Sequence, residues 1–123
     1  MKVPAIKVTP PGPKARDVIE RDGRFLATST KTSPIVAKRA LGSVIEDVDG
    51  NTYIDFSCGI AVVNVGHSHP KVVDAVRKQM GEFSHFAGTD FYYDIQTRLA
   101  ERLAKLAPGK AAKKVFFANS GTE

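Results

Sequence analysis

The final nine residues, Val115-Phe116-Phe117-Ala118-Asn119-Ser120-Gly121-Thr122-Glu123, constrain the fold most. Three bulky apolar residues stand in a row, then comes a turn that suits a helix start. A strand with one solvated face alternates apolar and polar residues, whereas a parallel strand covered on both faces does not. A strand is therefore expected at about 114–118. Its helix–strand–turn setting is an α/β pattern. One parallel strand cannot make a sheet, so its partners must come from elsewhere. The expectation is the N-terminal segment (arm, β-hairpin, helix) and the start of the large domain of a bigger α/β protein, with the chain truncated at Glu123.

Upstream, Pro4, Pro10, Pro11, Gly12 and Pro13 mark residues 1–14 as an extended arm. A short helix is expected over 17–25, ending near Gly23, followed by a polar loop from Thr28 to Pro34. The stretch SVIEDVDGNTYIDF predicts a β-hairpin over 43–56, because Asp49-Gly50 supplies the positive φ that a tight turn needs. With Asp49-Gly50 as the turn, Ile45 and Ile54 share one face and Val44 and Tyr53 the other, the loop length staying open. Gly59 and Gly66 in CGIAVVNVG suggest close backbone approach or unusual dihedrals. Pro70 suits a first helical position, and Val72, Val73, Val76 and Met80 recur at helical spacing, predicting a helix over about 70–81. Asp74 and Lys78 would pair on it. Ile95, Leu99, Leu103 and Leu106 form the apolar stripe of a second helix over about 92–107, stopped by Pro108-Gly109. The expected division is an arm and small-domain or linker segment over 1–90, and the beginning of a large domain over 91–123.

Composition narrows the function. The net charge is +5 and the pI about 9.5. The basic residues are interleaved with acids, so the balance speaks to solubility rather than to nucleic acid. No apolar run approaches the roughly 20 residues of a membrane span, and the N-terminus lacks the apolar core of a secretory signal. The single cysteine, Cys58, cannot form an internal disulfide, which fits a reducing, cytoplasmic setting. His67, His69, His85 and Cys58 offer metal-ligand chemistry but no second tight cluster, so no metal site is expected. Phe91, Tyr92 and Tyr93 read as packing residues, or as a contact with a second subunit.

The strongest chemical signal is the turn itself. A helix N-terminus presents free N–H groups and the positive end of a dipole to an anion. Gly121 lets the backbone approach closely, and Ser120 and Thr122 add hydroxyls. An ordinary helix cap uses the same residue types.

DVDGNTYIDFSCGIAVVNVGHSHPKVVDAV, then LAERLAKLAP, then VFFANSGTE, in that order, resemble the class III pyridoxal-phosphate aminotransferases of fold type I over roughly residues 34–123. The resemblance implies the cofactor pyridoxal 5'-phosphate, with Ser120, Gly121 and Thr122 holding its phosphate. It places the Schiff-base lysine and the aspartate that pairs with the pyridinium nitrogen beyond Glu123, so no catalytic residue is expected here. It places Ile60 at the substrate end of the pocket, where ornithine-type members tend to carry a tyrosine. Ile60 tilts the substrate toward 4-aminobutyrate-like or apolar amino acids, with a 2-oxo acid as amino acceptor. GHSHP is then a structural turn whose histidines are satisfied by backbone groups. A homodimer is implied, acting on small molecules rather than on nucleic acid or a membrane. The alternatives are an amino-acid racemase or epimerase of the same family and an inactive, non-enzymatic fragment; the 123-residue chain alone is expected to be inactive.

Overall fold

The computed structural model describes residues 3–27 and 31–123. Seven elements follow in order: α1 (Pro13–Phe25), β1 (Ala37–Leu41), β2 (Val44–Asp47), β3 (Thr52–Ile54), α2 (Cys58–Ala61), α3 (Pro70–Glu82) and α4 (Asp94–Leu106). They fall into two compact units, Met1–Lys78 and Gln79–Glu123, and α3 begins in the first and ends in the second. The loop expected from Thr28 to Pro34 lies partly outside the described residues.

The sheet has the order β1-β2-β3, antiparallel throughout. Its hairpin sits within the expected 43–56, but the register differs by one residue. Val44 faces Ile54, and Ile45 faces Tyr53. The cause is the turn. Gly50 donates to the Asp47 carbonyl at 3.1 Å, and Gly50 itself takes φ +84°. The turn is thus Asp47–Gly50 with a left-handed glycine, a three-residue loop in place of a two-residue Asp49-Gly50 loop. One added residue moves each side chain to the other pairing. β1, the polar AKRAL stretch, carries no strand signal of its own. It forms because β2 offers a partner, with Arg39 opposite Glu46 and their side chains bonded at 2.6 Å. That bond, together with nearby cations, holds the Glu46 carboxyl below its ordinary range.

The buried centre of the first unit is polar. Asn51 is fully buried and Asp47 2% exposed. Asn51 Oδ1 accepts from the amides of Lys7 (2.6 Å) and Val8 (2.8 Å), while Nδ2 donates to the Val8 carbonyl and to Asp47 Oδ2, both at 2.8 Å. Tyr53 Oη donates to the same Asp47 oxygen at 2.8 Å. Burial pushes the Asp47 carboxyl up, but the hydrogen bonds from Tyr53, Asn51 and Asp49 outweigh it and leave it below its ordinary value. Burial, then the bond to Asp47, raises the Tyr53 hydroxyl. Ala5 and Thr52 exchange backbone bonds at 2.9 and 2.8 Å, so the arm lies against the sheet.

α1 starts at Pro13, four residues before the expected position, and the arm is shorter to match. The reason is remote. Gly12, the cap residue, has no side chain, and the carboxylate of Asp49 in the hairpin loop accepts from the amides of Lys14 and Ala15, both at 3.0 Å. A Cβ on Gly12 would lie 2.3 Å from that carboxyl carbon, so any other residue there would push the carboxylate away from the helix amides.

α3 runs one residue past its expected end, and Asp74 lies nearest Arg77, at 4.0 Å, rather than Lys78. In the second unit, Phe83 stacks against Phe86 and Tyr93, and Phe86 against Phe91, with centroids 4.9–5.9 Å apart. Tyr92 is fully exposed, and Ile95, Leu99 and Leu103 on α4 are 41–50% exposed. The strand expected at about 114–118 is absent among the described residues. Extended backbone there has no neighbouring strand to bond, and a ladder needs one.

Candidate functional site

The residues expected at a site fall in two segments. Ile60 belongs to the first unit and Ser120, Gly121 and Thr122 to the second, so each segment is described by itself.

The first segment runs from Asp55 to His69. After β3, Asp55 Oδ1 accepts from the Ser57 amide and hydroxyl, each at 2.8 Å, and from the Cys58 amide at 3.1 Å. The chain then enters α2, whose helical turn is left-handed: φ is +50° at Cys58, +61° at Gly59, +60° at Ile60 and +60° at Ala61. Helical bonds close it, from Ala61 to Ser57 and from Val62 to Cys58, each at 2.9 Å. For residues with a Cβ this hand costs about 1–2 kcal/mol each. Only Gly59 among the four escapes that cost. Ile60 stands at the outer edge of the turn, 92% exposed.

The exit of the turn is tied back to its entrance. His67 Nε2 lies 2.7 Å from Asp55 Oδ2. The Asp55 side chain is only 5% exposed. The hydrogen bond from His67, then those from Ser57, hold its carboxyl down to about 2. His67 also exchanges two backbone bonds with Gly42, at 2.9 and 3.0 Å. Gly66, at φ +90°, passes so close that a Cβ there would meet Gly42 Cα at 3.1 Å. The unusual dihedrals expected at Gly59 and Gly66 are therefore present.

The histidines of GHSHP differ from expectation. The His67 side chain is satisfied by a carboxylate, not by backbone. His69 Nδ1 is buried with no partner among the described residues, while its carbonyl accepts from Val72 and Val73 as α3 begins. Cys58 is a half-buried free thiol. Among the described residues no three His, Cys, Asp or Glu side chains converge as metal ligands.

The second segment is the terminal turn. The Glu123 carboxylate accepts from the amides of Asn119 (2.6 Å) and Ser120 (3.4 Å). Ser120-Gly-Thr-Glu123 matches the capping-box pattern, in which the acidic residue reaches back to the cap amide. This turn thus already holds an anion on its backbone donors, although on Asn119 and Ser120 rather than on Gly121 and Thr122. Among the described residues the amides of Gly121 and Thr122 meet no acceptor, and a Cβ on Gly121 would meet nothing within 4 Å. The donor set fits a phosphate: two free amides, two hydroxyls and no side chain at the central position.

Asp55 and His67 escaped the sequence reading as a pair. The Asp55-x-Ser57 spacing is an Asx-turn signal that could have located the first of them. The partnership across twelve residues had no local signal.

A family model for the class-III aminotransferases matches residues 25–123. The chain belongs to that family. Among curated relatives of this class III aminotransferase chain is an alanine/serine racemase from Pyrococcus horikoshii, 41% identical over 125 residues, covering 100% of this chain and 26% of the relative. Another is a 4-aminobutyrate aminotransferase from Mycobacterium tuberculosis, 40% identical over 114 residues, covering 92% of this chain and 25% of the relative. The class III chain therefore spans about a quarter of the length of these relatives. Among solved structures, the acetylornithine aminotransferase from Elizabethkingia anophelis superposes with a TM-score of 0.71 at 29% identity, covering 75% of this chain and 24% of that one. The α/β fold matches that of aminotransferase structures. Among the described residues, no helix is long and apolar enough to cross a membrane.

Proposed function

We propose that these residues are the N-terminal part of a pyridoxal 5'-phosphate-dependent transaminase. It would move the amino group of an amino acid or ω-amino acid, 4-aminobutyrate-like, to a 2-oxo acid. The observation that carries this reading is the terminal turn, whose backbone amides hold a carboxylate and leave two further donors facing solvent. Residues 1–90 would supply the arm and small-domain segment, and 91–123 would open the cofactor domain of a cytoplasmic homodimer.

The cofactor, when bound, supplies the electron sink for the bond changes at Cα. The work of this chain is binding and orientation. Gly121 and Thr122 amides and the Ser120 and Thr122 hydroxyls would hold the phosphate at the terminal turn, and a helix opening there would add its dipole. The Glu123 carboxylate orders the Asn119 and Ser120 amides in advance. Ile60 would form an apolar wall for the substrate, excluding water and offering no hydroxyl to a distal polar group.

The racemase relative favours a second reading, in which the amino acid is inverted at Cα and no 2-oxo acid is needed. Incubating one enantiomer of alanine without a 2-oxo acid separates the two. Loss of optical activity with the amino group retained would favour the racemase.

The binding claim is tested by cofactor dissociation in the complete enzyme. Gly121→Val is expected to weaken affinity strongly, because a side chain holds the phosphate away from the backbone. Thr122→Ala is expected to weaken it less, by at most about 1.5–3 kcal/mol for one charge-assisted bond. Wild-type affinity in a folded Gly121→Val enzyme would refute the assignment of the anchor.

A further inference from the structure

Four successive residues with positive φ, three of them carrying a Cβ, form an unfavourable turn that local sequence does not sustain. Such backbone persists only where its surroundings over-determine it, and it clusters at functional sites. Here the restraint is one carboxylate. Asp55 Oδ1 gathers the amides of Ser57 and Cys58 at the entrance, and Oδ2 takes His67 at the exit. The backbone of His67 is anchored in turn to Gly42 in the β1–β2 turn. The side chain at the crest, Ile60, contributes nothing to this restraint, since 92% of it is exposed. A turn held this firmly fixes the direction in which the side chain at its crest projects.

We infer that Asp55 and His67 are positioning residues which hold the left-handed turn closed and so fix where Ile60 projects, making them determinants of which amino donor is accepted. The inference rests on the reading of Ile60 as a wall of the substrate pocket. Neither Asp55 nor His67 touches substrate in this account. Their effect passes through the backbone of 58–61.

Four variants of the complete, cofactor-loaded enzyme test this. In His67→Ala, hydrogen–deuterium exchange of the peptide spanning 57–66 should accelerate about tenfold, the loss of about 1.4 kcal/mol. The ratio of kcat/KM between a short apolar donor and a long ω-amino donor should move toward one, mainly through KM. His67→Gln, which retains an N–H donor, should recover part of both effects. Asp55→Ala should exceed His67→Ala in both. Ile60→Ala should alter donor preference without changing exchange. Unchanged exchange in folded His67→Ala and Asp55→Ala would overturn the positioning role, whatever Ile60 does. Accelerated exchange with unaltered donor preference, while Ile60→Ala shifts that preference, would overturn the selectivity claim alone. No shift of preference in Ile60→Ala would overturn the pocket reading of Ile60, and the selectivity claim with it.

Discussion

Asn51→Asp should cripple the first unit at neutral pH and spare it in mild acid. The substitution keeps shape and keeps Oδ1, which accepts from the Lys7 and Val8 amides. It removes the Nδ2 donor and sets a second carboxylate 2.8 Å from Asp47 Oδ2. Two unit charges at that spacing repel by about 6 kcal/mol at an effective dielectric constant of about 20. Holding a proton is cheaper: neutralising an ordinary carboxyl of pKa about 3.9 costs about 4 kcal/mol at pH 7 and about 1.5 kcal/mol at pH 5. The folded pair would have a raised pKa, so the folded state binds more protons than the unfolded one. The destabilisation is then small near the ordinary carboxyl pKa and grows as the pH rises above it. Amide exchange at Lys7 and Val8, normalised to intrinsic rates, reads this directly. Protection should fall by about three decades at pH 7, or to the unprotected limit, and by about one decade at pH 5. An equal loss at both values, or no loss at pH 7, would refute the idea that the Asn51 donor keeps the Asp47 charge tolerable.

Two further outcomes follow from the turns. Gly50→Ala, at φ +84°, should lower stability by about 1–2 kcal/mol through backbone strain alone, since only the Lys7 ammonium comes within 4.0 Å of the new methyl; a thermal midpoint unchanged from wild type would contradict the left-handed assignment. The Asp55 carboxyl, held down to about 2 from 3.8, contributes stability that is fully present above about pH 4 and is lost as the pH falls toward 2. The Asp55 carboxyl carbon shift, followed by NMR through that range, should titrate near the lower value and rise toward the ordinary one in His67→Ala, stopping short of it because the Ser57 and Cys58 bonds remain.

The parts of the fold legible in sequence were those with a local cause. α3 and α4 announce themselves through apolar spacing and through Pro70 and Pro108-Gly109. The hairpin announces itself through Asp49-Gly50. The parts that were not legible depend on partners distant in sequence. β1 exists because β2 is beside it, and the start of α1 is set by a carboxylate in another element. The register slip at Gly50 shows how small the missing information can be: Asp49-Gly50 marks the turn but not that Val48 also belongs to the loop. The strand expected at 114–118 is not formed among the described residues, where its apolar run has no neighbouring strand to pair with. At the candidate site, the Ser120-Gly121-Thr122 turn carried a motif signal, while Ile60 was singled out by the family resemblance alone. The Asp55–His67 tie carried none, because it spans a segment whose backbone hand cannot be read from residue types.

The Asp49 cap on α1 bears on the order of events during synthesis. The carboxylate that satisfies the Lys14 and Ala15 amides lies 35 and 34 residues downstream of them. A helix of thirteen residues is marginal in water without such help. As the chain leaves the ribosome, α1 would emerge well before its cap and remain a fluctuating segment until the hairpin loop follows. The N-terminal arm, whose bonds to Asn51 come from the same loop, would be kept waiting in the same way. Residues 3–25 would then settle only once the loop from Asp47 to Asn51 has been made, and that loop would be the event that fixes arm, helix and sheet together.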